Sequence, residues 1–569
     1  MIVIIIMLLN AVQFKVGNIN IYGNQYFKES AIRRMMLTKT AGLFNRGEFI
    51  QEIFDGDIIA IEDHYNYNGF LEAKIAHDLT FDSTQKKVNI EINVAEGKQT
   101  LVENIIFAGN TLFTEDFLRQ KMSMIPGEPF DSRKIDIDNY VITSLYDDIG
   151  YSEAQIKSDY TIAGNGADVT HNIIESTKQF IGGIEFEGLK NTQEDVLRRE
   201  ITLKLGDPFR YANILKSQRN LYTLGIFRSI RVQTKKSDRQ NAKIIQFILT
   251  EKAPMVINFR VGYGTQDYLR LGAGFTHINM FGRAWRGQVE SKVSLAEYRM
   301  STSVTFPRLL MIPAKYSIGV FYQFKRAIHF ETRSIGGYNE IHFDVAGGKL
   351  STKYDIENIR TYFAISSTAE DDWLHRLILN WSRDNRDDFL FPERGSYLNI
   401  NLETSGIILP SDVDYIRPTI EYRIFVPLSI LVGASSLKLG LVQEVAPSTD
   451  VPVHKRYYCG GATSVRGYEE WGIGPRDNNG DPLGGRVLFE WSGEVRFPIY
   501  KIFGGAFFID AGNVWREYRD INGTLRWGIG CGLRVKTPLG SIRLDYGLKV
   551  DRQPEESQGA LHFAIGEAF

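Results

Sequence analysis

Apolar and polar residues alternate along the whole second half of the chain, in runs of about ten residues. In the first run every second residue is apolar, and the residues between them are mostly polar or glycine. The apolar residues are Met255, Ile257, Phe259, Val261 and Tyr263, and those on the opposite face include Asn258, Arg260 and Gly262. A period of two places successive side chains on opposite faces of a β-strand. The pattern therefore predicts strands with one apolar face and one polar face.

The runs near the end of the chain keep their charged residues on a single face. The apolar face carries Ile542, Leu544, Tyr546, Leu548 and Val550, and the other face carries Arg543, Asp545, Gly547, Lys549 and Asp551. Lipid has no water to satisfy backbone polar groups, so a sheet with an apolar outer face must close on itself. A soluble β-sandwich has the same period, but its charged face lies toward water and its strands are usually shorter. At about 20 residues per strand and connection, the chain after Lys252 predicts a transmembrane antiparallel β-barrel of about 16 strands.

The first half of the chain contains one pattern three times, at a spacing of about 80 residues. Each copy has a short alternating apolar run and a glycine turn, then a short helical pattern, a longer helix, a glycine step and alternating strands. The turn glycines are Gly23, Gly109 and Gly188, the predicted short helices are 30–36, 114–122 and 193–201 with Arg33, Arg119 and Arg198, and the step glycines are Gly69, Gly150 and Gly225. The pattern predicts three small α+β domains of the order β-α-α-β-β.

These three units resemble POTRA domains, the polypeptide-transport modules of the periplasm. We place the units at 14–98, 99–177 and 178–252, followed by the barrel at 253–569. The exposed sheet edges of such a unit can accept an extended chain by β-augmentation. The alternative is that the repeats act only as spacers.

The chain begins with an apolar run at 2–9 that is too short to form a membrane-spanning helix. Residues 1–13 fit a short secretory signal peptide, although no Lys or Arg precedes the apolar run. A misplaced start and an ordinary first strand are the alternatives. We expect a signal peptide at 1–13.

A Gly-rich segment at 446–485 separates two strand-like runs and contains the motif Val465, Arg466, Gly467 and Tyr468. Loops of more than about 15 residues without secondary structure are usually functional or disordered. One alternative is an exposed arginine on a flexible loop. The other is a loop that folds back into the barrel, where Tyr468 packs on the wall.

Carboxylates on the runs that follow this loop provide partners for its arginine. The alternation places Glu494 on the lumen side of one run, and Asp510 and Gly512 on the lumen side of the next. If the loop folds into the lumen, Arg466 can meet both carboxylates, and its planar guanidinium matches them better than a lysine would. Gly467 permits a tight turn of the backbone.

The order and phase of these motifs resemble the outer-membrane β-barrel assembly-factor superfamily, which includes a BamA type and a TamA type. The motifs are the three POTRA-like repeats and the segments 384–395, 465–468, 507–512, 532–540 and 543–547. The resemblance implies that the protein receives unfolded outer-membrane β-barrel clients and inserts and folds them into the outer membrane, without nucleotide hydrolysis. It also implies contact with outer-membrane lipids and, at the first POTRA domain, with periplasmic lipoproteins or an inner-membrane protein. Three repeats suit the TamA type, which serves selected autotransporter-like clients, whereas the BamA type commonly has five, so the subfamily stays open.

The same resemblance implies a lateral seam between the first and last barrel strands. Glycine weakens or bends a strand, and glycines occur in both runs. The candidate seam residues are Phe259, Val261, Gly262, Gly264, Phe563, Gly566 and Phe569. We expect this seam to open sideways.

Composition argues against several other classes of protein. The 66 basic and 68 acidic residues give a net charge of −2, which leaves no electrostatic footprint for nucleic acid. The sequence contains no metalloprotease, hydrolase-elbow or phosphate-loop motif, so we expect no enzyme activity, no cofactor and no bound metal. The segment 477–481 is similar to a calcium loop but lacks the bidentate glutamate, which favours a polar turn. Cys459 and Cys531 are too few to define a metal site.

Two transport functions remain as alternatives. A passive porin or a ligand-gated importer has a similar barrel, but it needs neither three periplasmic modules nor an arginine loop in the lumen. A two-partner secretion transporter has both features, usually with two POTRA units and an N-terminal plug helix. Residues 2–13 offer no plausible plug.

Overall fold

The structure, a computed structural model, describes residues 14–41, 47–264, 268–310, 312, 314–363, 369–448, 450–538, 540–554 and 556–565. The predicted signal peptide at 1–13 and the predicted seam residues Gly566 and Phe569 lie outside these ranges. The chain divides into two compact units, which are described separately. The first unit contains the chain up to Glu187 with 199–221 and 230–249, and the second contains 188–198, 222–229 and 250–569.

Each repeat of the first half contains a three-stranded sheet and two helices, which confirms the predicted order β-α-α-β-β. The first repeat consists of β1 (Lys15–Tyr22), α1 (Glu29–Met35), α2 (Gln51–Asn66), β2 (Lys74–Asp82) and β3 (Lys87–Ala95). The second consists of β4 (Leu101–Ala108), α3 (Glu115–Arg119), α4 (Arg133–Asp148), β5 (Gln155–Ala163) and β6 (Gly166–Ile174). The third consists of β7 (Phe180–Glu187), α5 (Glu194–Arg198), α6 (Tyr211–Thr223), β8 (Phe227–Lys236) and β9 (Ala242–Glu251). In every sheet the third strand lies in the middle and runs parallel to the first.

Two of the short helices end a full three residues earlier than the sequence pattern predicts, whereas α1 ends one residue earlier, at Met35. Helix α3 ends at Arg119 and α5 ends at Arg198, three residues before the predicted ends. In the second repeat the carboxylate of Asp138 on α4 accepts hydrogen bonds from the backbone N–H groups of Ser123 (2.6 Å) and Met124 (3.2 Å). These bonds hold the chain in a non-helical path directly after the helix. None of the described helices is both long and apolar enough to cross a membrane.

A glutamate after the third strand stabilises the glycine turn in the first two repeats. In the second repeat Glu175 accepts the backbone N–H groups of Thr111 (2.6 Å) and Leu112 (2.9 Å) and the hydroxyl of Tyr146 (2.7 Å). Glu96 binds the turn of the first repeat in the same way. Burial alone raises the pKa of Glu175, but the hydrogen bonds that its carboxylate accepts lower this pKa by a larger amount. The pKa of Glu175 therefore lies below its usual value. The turn is therefore held by a charged carboxylate.

The second half forms a closed barrel of sixteen long strands within the described residues, which confirms the predicted number. The strands are β10 (Met255–Gly264), β11 (Tyr268–Met280), β12 (Trp285–Val293), β13 (Glu297–Phe306), β14 (Lys315–Arg326), β15 (Phe330–Val345), β16 (Gly348–Phe363), β17 (Ala369–Asp384), β18 (Gly395–Ser405), β19 (Tyr415–Leu428), β20 (Leu431–Leu441), β22 (Val487–Tyr500), β23 (Phe503–Trp515), β24 (Arg526–Thr537), β25 (Gly540–Lys549) and β26 (Gly559–Ile565). A two-residue strand, β21 (Gln443–Glu444), pairs with β19. Successive long strands are antiparallel neighbours, and β10 lies next to β26.

Side chains along the barrel strands alternate between two environments, as the sequence predicts. Phe259 on β10 is 79% exposed and Leu544 on β25 is 40% exposed, whereas Arg543 and Asp545 beside Leu544 are buried. An apolar outer face and a polar interior are the arrangement of a membrane β-barrel. The charged side chains therefore line the lumen.

The segment 446–485 folds back into the barrel, and we call it the lumen loop. Its residues Val465, Arg466 and Tyr468 are each only 1% exposed. Tyr457, inside the loop, pairs with Gly485 at its end through backbone hydrogen bonds at 2.8 and 2.9 Å. Its apolar side chains share one core with residues on or next to the barrel strands, and this core contains Tyr415, Val442, Val451, Tyr457, Cys459, Val465, Tyr468, Ile473, Leu488 and Val514.

Candidate functional site

Arg466, at the tip of the lumen loop, binds Asp510 on β23 through both its side chain and its backbone. Its Nε and Nη2 atoms donate to the two carboxylate oxygens of Asp510 at 2.8 and 2.9 Å. The backbone N–H of Arg466 donates to the same carboxylate at 3.0 Å. A guanidinium and a carboxylate make such paired bonds because both groups are planar. The structure thus brings Arg466 and Asp510 together, as the sequence predicts for a loop that folds into the lumen.

The remaining nitrogen of the guanidinium connects Arg466 to two more strands. Nη1 donates to Glu494 on β22 at 2.9 Å and lies 3.5 Å from the carboxylate of Asp545 on β25. Nη2 also donates to the hydroxyl of Ser492 at 3.2 Å. One side chain of the loop therefore contacts β22, β23 and β25.

The carboxylates around Arg466 also bind arginines of the barrel wall. Glu494 pairs with Arg496 at 2.9 Å and with Arg534 at 3.3 Å. Asp545 pairs with Arg534 and, at 3.2 Å, with Arg543. Buried charges of this kind are tolerated when each has an opposite charge beside it. We call this set the latch cluster, and its members are Arg466, Glu494, Arg496, Asp510, Arg534, Arg543 and Asp545.

An aromatic ring covers one face of the Arg466 guanidinium. The guanidinium carbon lies 3.5 Å from the centre of the Phe508 ring on β23, and Phe508 is itself buried. A cation on the face of a ring gains about 2 kcal/mol or more when the site is desolvated. The arginine thus has carboxylates at its edge and a ring against its face.

Glycines on the wall make room for the tip of the loop. A Cβ atom on Gly528 of β24 would lie 2.0 Å from the carbonyl oxygen of Arg466, and one on Gly547 of β25 would lie 2.5 Å from the nitrogen of Gly467. Gly467 has a φ of 97°, in the left-handed region that favours glycine. Gly528 and Gly547 therefore form part of the seat for the loop.

The other two motif residues pack against the wall. Tyr468 is buried and donates its hydroxyl to Asp551 at 2.6 Å. A Cβ atom on Gly512 of β23 would lie 2.8 Å from Cγ2 of Val465. Gly512 therefore meets the loop at Val465 rather than at Arg466.

The latch cluster is suited to holding the loop in one position. Asp510 accepts three hydrogen bonds from Arg466 and one from Ser492 at 2.6 Å, so its carboxylate is fully engaged. Removing one partner from a buried ion pair typically costs about 3–5 kcal/mol, because the other charge is left uncompensated. The geometry is that of a stable connection between loop and wall.

The turn between β17 and β18 lies close to the latch cluster. Arg386 donates twice to Asp384, at 2.9 and 2.7 Å, and Asp387 accepts the backbone N–H groups of Glu393 and Arg394 at 3.1 Å each. A cavity of about 620 Å³ is lined by residues of both this turn and the latch cluster. The motif at 384–395 therefore builds an ordered turn that shares a cavity with Arg466.

Within the described residues, the pairing between β10 and β26 is shorter than the pairing between any other two neighbouring long strands. Within the described residues their register contains one pair, Gly264 with Ala564, whereas β10 and β11 share ten pairs. The rings of Tyr263 and Phe563 meet next to this pair, with centroids 5.4 Å apart. Among the described residues, this boundary therefore has fewer registered pairs than the boundary between β10 and β11.

The predicted seam residues divide into two groups in the structure. Gly264 and Phe563 lie at the contact between β10 and β26. Phe259 and Val261 lie further along β10 with exposed side chains, and Gly262 pairs with Arg270 of β11. Only the first group therefore connects the two strands within the described part of the chain.

The sequence predictions omit part of the latch cluster. They place Asp545 toward the lumen but do not pair it with Arg466, and they assign no role to Arg534 or Arg543. The phase of the alternation contains the signal, because all three residues occupy inward positions on β24 and β25, the strands that follow the one bearing Asp510. A systematic search of inward charges on neighbouring strands would have found them.

Two family profiles match the chain. The profile of the Omp85 superfamily domain matches residues 257–569, which is more than half of the chain. The POTRA profile, described as a surface antigen variable number repeat, matches residues 14–97, 100–176 and 179–252. Barrel and repeats are thus recognised independently.

Curated relatives and a solved structure agree with these profiles. The outer membrane protein assembly factor BamA of Nitratidesulfovibrio vulgaris is 23% identical over 97% of this chain and 73% of its own length. The protein of the same name from Neisseria meningitidis serogroup B is 22% identical over 98% of this chain and 78% of its own. The crystal structure of BamA from Haemophilus ducreyi lacking POTRA domains 1–3 has the same fold, with a TM-score of 0.70 and 19% identity over 82% of this chain and 99% of that chain. From its two matching profiles, its barrel and its three repeats, this chain belongs to the Omp85 superfamily.

Proposed function

We propose that this protein is an outer-membrane protein assembly factor. Its POTRA domains receive unfolded β-barrel clients in the periplasm, and its barrel inserts and folds them into the outer membrane. Relatives named as outer membrane protein assembly factor BamA match 97% and 98% of the chain. A porin and a two-partner secretion transporter have less support, because these relatives, which match both the repeats and the barrel, are named as assembly factors.

The observation that carries the mechanism is the short pairing between the first and last barrel strands. Within the described residues β10 has ten registered pairs on one side and one on the other. A strand with unpaired backbone groups is a template for pairing with another chain. In lipid each unsatisfied backbone group costs several kcal/mol, so a client strand that pairs with β10 is strongly favoured. We therefore assign β10 as the strand on which client strands are added.

The lumen loop supports the other side of the seam. Its Arg466 binds Asp545 on β25, and the backbone N–H of Gly467 donates to Nε2 of His562 on β26 at 3.2 Å. The loop tip thus contacts the last two strands of the barrel. When the seam opens, we expect the latch cluster to keep these strands in place while β10 separates from β26.

The proposal also covers partners and chemistry. Unfolded outer-membrane proteins are the clients, and lipids of the outer membrane contact the apolar outer face of the barrel. Periplasmic lipoproteins or an inner-membrane protein at the first POTRA domain are further proposed partners. We propose no covalent chemistry, because the buried acids and bases of the latch cluster bind one another.

Depletion of this protein in its native bacterium tests the proposed function. The measurement is the amount of folded, heat-modifiable β-barrel protein in the outer membrane, across many unrelated clients. Loss of most clients is the expected result and indicates a general assembly factor. Loss of a few clients would indicate the selective, TamA-type function, and unchanged amounts of all clients would contradict the proposal.

A further inference from the structure

We propose that Lys455 anchors the lumen loop to a second sector of the barrel wall through Glu403, independently of the latch cluster. Lys455 lies in a short 3₁₀ turn, Val453–Lys455, at the start of the loop and is 8% exposed. Its ammonium group lies 3.3 Å from Oε1 of Glu403 on β18. A buried ammonium needs such a partner because desolvation of an unpaired charge is costly. Lys455 is therefore a positioning residue for the loop.

The wall around Glu403 is a second buried ionic cluster. Arg376 on β17 lies 3.3 Å from Glu403, and Arg417 on β19 lies 3.5 Å from it. The hydroxyl of Tyr415 also donates to Glu403. These strands lie outside the sector β22–β25 that holds the latch cluster. Glu403 thus joins three barrel strands and the loop at one carboxylate.

The cluster remains connected without the loop. Arg376 donates to both oxygens of Asp355 on β16, at 2.8 and 3.1 Å, and also pairs with Glu357. Glu403 keeps Arg376, Arg417 and Tyr415 as partners when Lys455 is absent. Removing the lysine therefore removes one ionic contact between the loop and the wall and leaves the wall cluster connected.

The neighbours of Lys455 bind the same sector of the wall. His454 lies 3.2 Å from the hydroxyl of Thr361 on β16. The Tyr457 hydroxyl makes a 2.7 Å hydrogen bond with Thr419 on β19, and the Arg417 guanidinium lies 4.4 Å from the Tyr457 ring centre. The loop is thus held at 454–457 by β16, β18 and β19, and at Arg466 by β22, β23 and β25. It connects two sectors of the barrel across the lumen.

Cys459 gives a native reporter of this second anchor. Its thiol is fully buried four residues after Lys455, and the only other cysteine, Cys531, is exposed. In a Cys531→Ser background, the rate at which a maleimide labels Cys459 in the folded barrel measures how often the loop leaves its seat. This readout concerns the loop alone, so its outcome does not depend on the proposed assembly function.

The matched control is a lysine of the same cluster that does not belong to the loop. Lys353 on β16 lies 3.0 Å from Asp355, and Lys353→Met removes the same side chain as Lys455→Met. We expect Lys455→Met to raise the labelling rate by about tenfold or more, and Lys455→Arg to restore slow labelling because it keeps the charge. Lys353→Met should label as slowly as the parent.

Two results would overturn the inference. One is an unchanged labelling rate in Lys455→Met, and the other is an equal acceleration in Lys353→Met, which would indicate a general loosening of the wall. Heat-modifiable migration checks that each barrel is folded. If Lys455→Met does not fold, Lys455→Gln keeps a donor for Glu403 but loses the charge, and unchanged labelling in that variant would also contradict the anchor.

Discussion

The guanidinium of Arg466 has three carboxylates within 3.5 Å and a phenylalanine ring against its face. A lysine could supply the positive charge but not the paired bonds to Asp510 or the flat surface that contacts Phe508. The identity of this one residue therefore determines both the charge balance and the shape of the loop seat.

Arg466→Ala is expected to lower the free energy of unfolding of the barrel by about 3–5 kcal/mol, because three buried carboxylates lose a shared cation. Denaturant unfolding of the barrel in lipid vesicles measures this change. Arg260→Ala is the control, since Arg260 forms a half-exposed pair with Glu290 at 3.0 Å and should cost at most about 1 kcal/mol. Equal losses in the two variants would contradict the account of a dry latch cluster.

Gly547→Ala tests the seat of the loop without changing any charge. The added methyl group would lie 2.5 Å from the nitrogen of Gly467 and 2.7 Å from the carbonyl carbon of Arg466, so the loop tip must move. Overpacking of this kind typically costs about 1–3 kcal/mol, again measured by denaturant unfolding. Gly337→Ala on β15 has its nearest neighbours at 3.7 Å and should be nearly neutral. A neutral Gly547→Ala would show that the tip is not closely seated.

At this scale the sequence allows the partners of Arg466 to be predicted in part. Glu494 and Asp510 follow from alternation, because a period of two decides which side chains share the lumen. The pairing of Lys455 with Glu403 does not follow, because 52 residues separate them and the contact depends on how the loop folds. Short-range patterns contain no information on that path.

At the scale of elements, the first two POTRA domains share one device, a glutamate that binds the glycine turn. In the second domain the donors to Glu175 come from the turn and from Tyr146 on α4. One carboxylate thus connects the sheet, the turn and the long helix. The repeat pattern predicts all three elements, but not the residue that joins them.

Glu175→Gln is expected to weaken the turn of the second domain in a pH-dependent way. The pKa of Glu175 is lower in the folded protein, so its stabilising contribution is present above its unfolded pKa, about 4.3, and is lost as the pH falls through the folded pKa. Hydrogen exchange at the Thr111 and Leu112 amides should be faster in the variant at neutral pH, and parent and variant should converge in acid.

Glu153→Gln is the control for this comparison. Glu153 forms a half-exposed pair with Lys243 at 3.0 Å, and its loss should leave those amides unchanged. A difference between Glu175→Gln and the parent that stays constant across the whole pH range would contradict the role of the charged carboxylate.

The limits of sequence prediction for elements are visible in the short helices. The period of two fixes the barrel strands because lipid and lumen impose it along each strand. Helix α3 ends at Arg119 instead of 122 because Asp138, from a different helix, binds the following backbone. A tertiary contact thus overrides the local helical pattern.

At the scale of the whole molecule, the described part of the barrel has its shortest pairing of long strands between its first and last strands. Neighbouring long strands share at least seven registered pairs, whereas β10 and β26 share one within the described residues. The number of strands could be predicted from chain length and period. The resemblance and the strand glycines predict a seam between the first and last strands, but not which residues pair there, because that depends on the register of two strands from opposite ends of the barrel sequence.

The seam is tested most directly by a disulfide between Gly264→Cys and Ala564→Cys, the registered pair of β10 and β26, with Cys459 and Cys531 replaced by serine. The measurement is the rate of client barrel assembly in lipid vesicles under oxidising and reducing conditions. The control disulfide joins Thr305→Cys to Ser317→Cys, a registered inward-facing pair of β13 and β14. We expect the seam disulfide to stop assembly and reduction to restore it, while the control disulfide has no effect. Full assembly with the seam disulfide closed would contradict insertion through a lateral opening.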